Sequence, residues 1–192
     1  MDHFEVFGLP RRLTIDAADL QRRFYELSRR YHPDFHAGAT PDAQARALAD
    51  SARLNAAYRT LRDPIARIDY LVRLIEGRET REGAVDRAGA PPELLAEMFE
   101  IQESLAEARA GGLDDAARKT LESQHERLVP RLAEEEARLT GPLATAWDTA
   151  PAGDHAQVIA ALKQGLATRA YLRTVIDDLD ATLNASRDGE AG

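Results

Sequence analysis

The sequence predicts an all-α protein: a helical hairpin with an exposed loop in residues 1–76, a linker at 77–91, a three-helix bundle in 92–186 and a tail at 187–192. Three observations carry this. Nearly everything periodic in the chain recurs at helical spacing. The breaks between periodic segments fall on Gly, Pro or Asp-Pro. The composition, 44% hydrophobic and 30% charged over 192 residues, suits a soluble chain long enough for one large or two small cores.

Phe4, Val6 and Phe7 precede a turn at Gly8-Leu9-Pro10. Asp16 is a good N-cap with Asp19 in the first turn, opening a helix that ends near Tyr31. Leu20, Phe24, Leu27 and Tyr31 form its apolar stripe. Arg22 and Arg29 point the opposite way, and Arg23 and Arg30 lie roughly 100° further round on the solvent side. The outer face is therefore a cationic ridge, with only Glu26 between the two pairs. Pro33 disfavours α geometry at His32 and removes a backbone donor, so the helix stops and presents His32 and Asp34 on a loop. That loop runs through Gly38 to Pro41. A helix from about Pro41 to Leu61 follows, with Ala47, Ser51, Leu54, Tyr58 and Leu61 on one face, and completes an antiparallel hairpin. Asp63-Pro64 starts another, since Pro is favoured at the first helical position. Ile68, Leu71, Val72 and Ile75 give it a packing face, and it ends before Gly77.

The second half reads as helices over about 92–110, 113–139 and 154–185, separated by Gly111-Gly112 and by the Gly141 to Gly153 segment. Leu94, Met98, Ile101 and Leu105 form the core stripe of the first. Leu121, Leu128, Leu132 and Leu139 serve the second, in which Pro130 is expected to cause a bend. Val158, Leu162, Leu172, Ile176, Leu179 and Leu183 serve the third. Trp147, in the connection, is expected to pack against the bundle end. Leu95 and Phe99 lie roughly 100° off the core stripe with Glu100 and Glu103 beside them. They form either a second apolar ridge flanked by acid or the second buried face that a three-helix bundle needs.

The net charge of −8 is unevenly shared: 12 Lys+Arg against 11 Asp+Glu in residues 1–76, and 13 against 22 in residues 77–192. Two halves with different partners are expected. The acidic second half disfavours nucleic acid, whose phosphates require dense positive charge. Cysteine is absent, which excludes disulfides, thiolate metal sites and cysteine nucleophiles. The start, Met1-Asp2-His3-Phe4-Glu5, reads as neither a secretory signal nor an anchor, and no stretch approaches a membrane span. The expected compartment is the cytoplasm. His32 and His36 are four apart, but Pro33 breaks the helix that would bring them together, so no metal site is expected. There is no phosphate loop or nucleophile motif, and neither cofactor nor enzyme activity is expected.

Phe4-Glu5-Val6-Phe7-Gly8-Leu9-Pro10, Leu27 through Asp34, Leu54 through Pro64 and Tyr70-Leu71 together resemble the HscB family, J-domain co-chaperones of iron-sulfur cluster assembly. Leu54 through Pro64 separates this family from the general DnaJ type. No Gly/Phe-rich segment and no cysteine-rich zinc module follow residue 76, which speaks against a DnaJ-like general chaperone.

The resemblance implies a function. His32, Pro33 and Asp34 would stimulate the ATPase of a DnaK-type chaperone, HscA in this pathway. Asp34 would act as the acceptor that reorients an arginine in that partner. Arg22, Arg23, Arg29 and Arg30 would supply docking charges, which steer encounter more than they hold the complex. Leu95, Ala96, Phe99, Glu100 and Glu103, with Tyr171 from the last helix, would bind the scaffold protein IscU. Ala96 stands where the family can carry a larger apolar residue, which implies a weaker or reshaped contact. The alternative is a J-domain co-chaperone for another client.

Overall fold

The computed structural model describes residues 1–31, 38, 40–77, 92–151 and 154–189, with the side chains of 92, 93, 95 and 186–189 excepted. The expected linker lies outside the described residues apart from Gly77, as do His32, Pro33, Asp34 and the last three residues. Among the described residues all regular structure is helical. The chain forms two compact units: Met1–Thr80 with Thr140–Ile159, and Arg81–Leu139 with Ala160–Gly192.

The first unit opens with a short helix the sequence reading did not anticipate, α1 (His3–Val6). Its cap is reciprocal: Asp2 accepts from the Glu5 N–H and Glu5 accepts from the Asp2 N–H, each at 2.9 Å. α2 (Ala17–Tyr31) starts where Asp16 Oδ1 accepts from Ala18 and Asp19, at 2.8 and 3.1 Å. α3 (Pro41–Arg62) is capped by Thr40, and α4 (Pro64–Ile75) by Asp63, which accepts from Ala66 at 2.8 Å. The hairpin of α2 and α3 is pinned where the Phe24 and Tyr58 rings stack at 4.1 Å, a contact of about 0.5–1.5 kcal/mol beyond the area it buries. Leu20, Leu54, Leu61, Ile68 and Leu71 fill the core, whereas Ile75, expected on the packing face of α4, is 45% exposed. It falls in the last turn, beside Gly77, whose positive φ of 66° ends the helix.

Residues 140–159, which the sequence reading placed in the C-terminal bundle, pack in this first unit. α6 (Asp115–Arg138) runs into a π-helical stretch (Leu139–Leu143) and then into α7 (Ala144–Thr149). Trp147 is thus not at the bundle end as expected. It lies against His155, and its indole N–H donates to the Arg11 carbonyl at 2.9 Å. A buried indole needs an acceptor, and here a backbone carbonyl of the N-terminal segment provides it.

The second unit is built from α5 (Pro92–Gly111), α6 and most of α8 (His155–Gly189). Ile101, Leu105, Leu121, Leu128, Leu172, Val175, Ile176 and Leu179 form its core, much as the leucine periodicity predicts. Asp114 caps α6 by accepting from Ala117 at 2.8 Å. Gly165 lets α8 approach α6 closely, since a Cβ there would sit 2.8 Å from Leu139 Cδ2 and 2.6 Å from Glu135 Oε1. No helix among the described residues is long and apolar enough to cross a membrane.

Candidate functional site

The first candidate surface is the outer face of α2. Arg22, Arg29 and Arg30 are exposed, as the helical spacing requires. Arg23 behaves differently. Its guanidinium donates to the Phe7 carbonyl at 3.0 Å and to Asp19 at 2.8 Å, so it ties α2 to the N-terminal segment. Asp19 also pairs with Arg22. One carboxylate therefore tempers the N-terminal end of the ridge. Tyr25, 57% exposed, adds an apolar surface among these charges. The His-Pro-Asp loop that would complete the surface lies outside the described residues.

The second candidate surface is on α5. Phe99 is 68% exposed, and Ala96, Glu100 and Glu103 are exposed with it. This resolves the alternatives at Phe99, which does not belong to a buried face. The Leu95 side chain lies outside the described set. An apolar ring in water, bordered by carboxylates, suits a partner with an apolar socket and a basic rim.

Tyr171 is placed elsewhere. Its ring packs partly buried against the core of the second unit. Its hydroxyl, also buried, has no hydrogen-bond partner. Burial pushes the hydroxyl pKa up, joined by the negative charge of Glu97 and opposed by Arg131. Glu97 lies roughly 160° round α5 from Phe99, so the charges that act on Tyr171 belong to the other side of that helix.

Glu97 is the residue the sequence reading missed. It joins α5 to α6 by accepting from Arg127 at 2.7 Å and from Arg131 at 2.5 Å. One heptad along the same seam, Gln124 donates to Ser104 at 3.2 Å. Burial pushes the Glu97 carboxyl up, but the hydrogen bonds and charges of Arg131 and Arg127 outweigh it and hold the group below its usual range. A signal was available, for Arg127 and Arg131 stand four apart on one helix face in an otherwise acidic half.

Comparison with known proteins bears on the fold of the chain. The DnaJ domain family matches residues 2–70. The chaperone HscB from Vibrio cholerae is 26% identical, with a TM-score of 0.55 over 93% of this chain and 99% of that one. The human co-chaperone protein HscB is 25% identical, with a TM-score of 0.62 over 94% of this chain and 81% of that one. The chain carries a J domain and is similar to HscB co-chaperones along most of its length. The DnaJ match ends at residue 70, whereas the likeness to the two HscB structures extends through the second unit. The HscB-like assignment therefore covers α5 to α8 as well as the hairpin.

Proposed function

We propose that this chain docks on the ATPase domain of an Hsp70-type chaperone of the DnaK or HscA kind, stimulates ATP hydrolysis there, and delivers an IscU-type scaffold protein during iron-sulfur cluster assembly. The observation that carries the reading is a J domain joined to a second helical unit in a chain that aligns with HscB chaperones over 93–94% of its length. His32, Pro33 and Asp34 act on the chaperone, with Arg22, Arg29 and Arg30 steering the encounter and Arg23 holding α2 in place. Phe99 is the apolar anchor for the scaffold, with Leu95 and Ala96 beside it and Glu100 and Glu103 as its acidic border. Tyr171 supports this unit from its core. The chain breaks no bond itself; the hydrolysis belongs to the chaperone, and no cofactor takes part. Its place of action is the cytoplasm.

The test is the steady-state ATPase rate of an HscA-type chaperone with the chain alone, with IscU alone and with both. Stimulation by the chain that rises further when IscU is added supports scaffold delivery. Stimulation indifferent to IscU would reassign the chain to another client, and no stimulation would remove the chaperone role.

A further inference from the structure

The stretch Arg11–Thr14, which leads into α2, is held by side chains from far along the chain. One carboxylate does most of this. Asp148 accepts from the Leu13 N–H at 2.7 Å and the Thr14 N–H at 2.8 Å, and the Thr14 hydroxyl donates to it as well. Next to it, the Trp147 indole N–H donates to the Arg11 carbonyl at 2.9 Å. From the opposite side Arg67, 5% exposed, donates to the Leu13 carbonyl at 2.9 Å. Both peptide groups of Leu13, itself 4% exposed, are thus held by charged side chains. Burial disfavours the charged Arg67 guanidinium, and the Asp148 and Asp63 carboxylates favour it. Hydrogen bonds to an ionised acceptor are roughly twice as strong as neutral ones, so this is a firm anchor for a loop. Two residues after Thr14, Asp16 caps α2. The end of the anchored stretch therefore sets where that helix begins.

We infer that Asp148 and Trp147 are positioning residues for the J domain: by fixing Arg11–Thr14 they fix the start of α2, and with it the basic face offered to an Hsp70-type chaperone. The inference rests on the chaperone reading above. It also makes the working J domain larger than the DnaJ match over residues 2–70, since a segment more than 130 residues away completes it (the sequence separations are 134 to 136).

The experiment uses the full-length chain and follows chaperone ATPase rate against chain concentration. Asp148→Ala is compared with Val72→Ala, a core change in the same unit that leaves the five bonds to Arg11, Leu13 and Thr14 in place. Both are assayed at a temperature where circular dichroism shows them fully folded. Asp148→Ala is expected to raise the concentration for half-maximal stimulation about tenfold, equivalent to about 1.4 kcal/mol, with the plateau rate nearly kept. Val72→Ala should leave both values unchanged. An unshifted curve for folded Asp148→Ala, or an equal shift in Val72→Ala, would overturn the inference while leaving the chaperone reading intact. Wild type that fails to stimulate would overturn both. If Asp148→Ala does not fold, Trp147→Phe, which keeps a ring and loses the N–H donor, is read the same way. A raised half-maximal concentration supports the positioning role and an unchanged one overturns it.

Discussion

Glu97 on α5 and Arg131 on α6 lie 2.5 Å apart, with Arg127 of the next turn 2.7 Å from the other carboxylate oxygen. This pair of contacts makes the α5–α6 seam sensitive to acid. The folded carboxyl titrates below its ordinary value of 4.5. Its stabilisation is therefore complete above that value and is lost as pH falls through the lower folded one. Glu97→Gln should cost about 1–2 kcal/mol at neutral pH, because Arg127 is largely exposed and screened. The difference from wild type, measured by urea unfolding, should shrink on acidification below about pH 4.5. A difference that widens instead would show that the seam does not depend on the charged carboxylate.

Phe99→Ala separates binding from folding. An aromatic ring that is 68% exposed contributes little to stability, so the melting temperature should stay within a degree or two, a shift well under 1 kcal/mol for a unit of this size. As an interface anchor it should lose on the order of 2 kcal/mol in scaffold binding. Calorimetric titration with an IscU-type scaffold, read beside a thermal melt, checks both. Unchanged affinity would move the scaffold site off this face. For contrast, Leu105→Ala, at a fully buried position, should cost about 2–5 kcal/mol of stability.

Neutralising Arg22 and Arg29 together should slow association with the chaperone and flatten its salt dependence, since exposed charges act over a Debye length of about 8–10 Å. Stopped-flow association rates at low and high salt measure this. Arg23→Gln should differ in kind. It breaks the bond from α2 to the Phe7 carbonyl, so its effect should appear in the melting temperature as well as in the rate. Rates indifferent to salt in wild type would rule out steering by the ridge.

The long helices were legible because leucine stripes and Asp caps leave a period and a punctuation mark. Asp16, Asp63 and the core from Leu121 to Leu179 stand where spacing puts them. α1 was not, although Asp2 and Glu5 spell a capping box, because four residues are too few to show a period. Trp147 was misplaced for a different reason. Its partner is a backbone carbonyl 136 residues away, and nothing in local sequence encodes which carbonyl a distant indole will meet. Arg67, read past between Ile65 and Ile68, is 5% exposed because the Leu13 carbonyl and two carboxylates wait for it. At the candidate surfaces the exposure of Arg22, Arg29 and Phe99 followed from helical angles. The binding of Arg23 to Phe7 depended on where the N-terminal segment folds back.

The most direct measurement compares wild type with Asp34→Asn in stimulating the ATPase of an HscA-type chaperone, with IscU binding and circular dichroism measured on the same samples. Asp34→Asn keeps the shape of the side chain but removes the charge proposed to engage an arginine of the partner. The expected result is loss of stimulation with helicity and scaffold binding retained. Stimulation by Asp34→Asn at the wild-type level would contradict the chaperone role assigned to this chain.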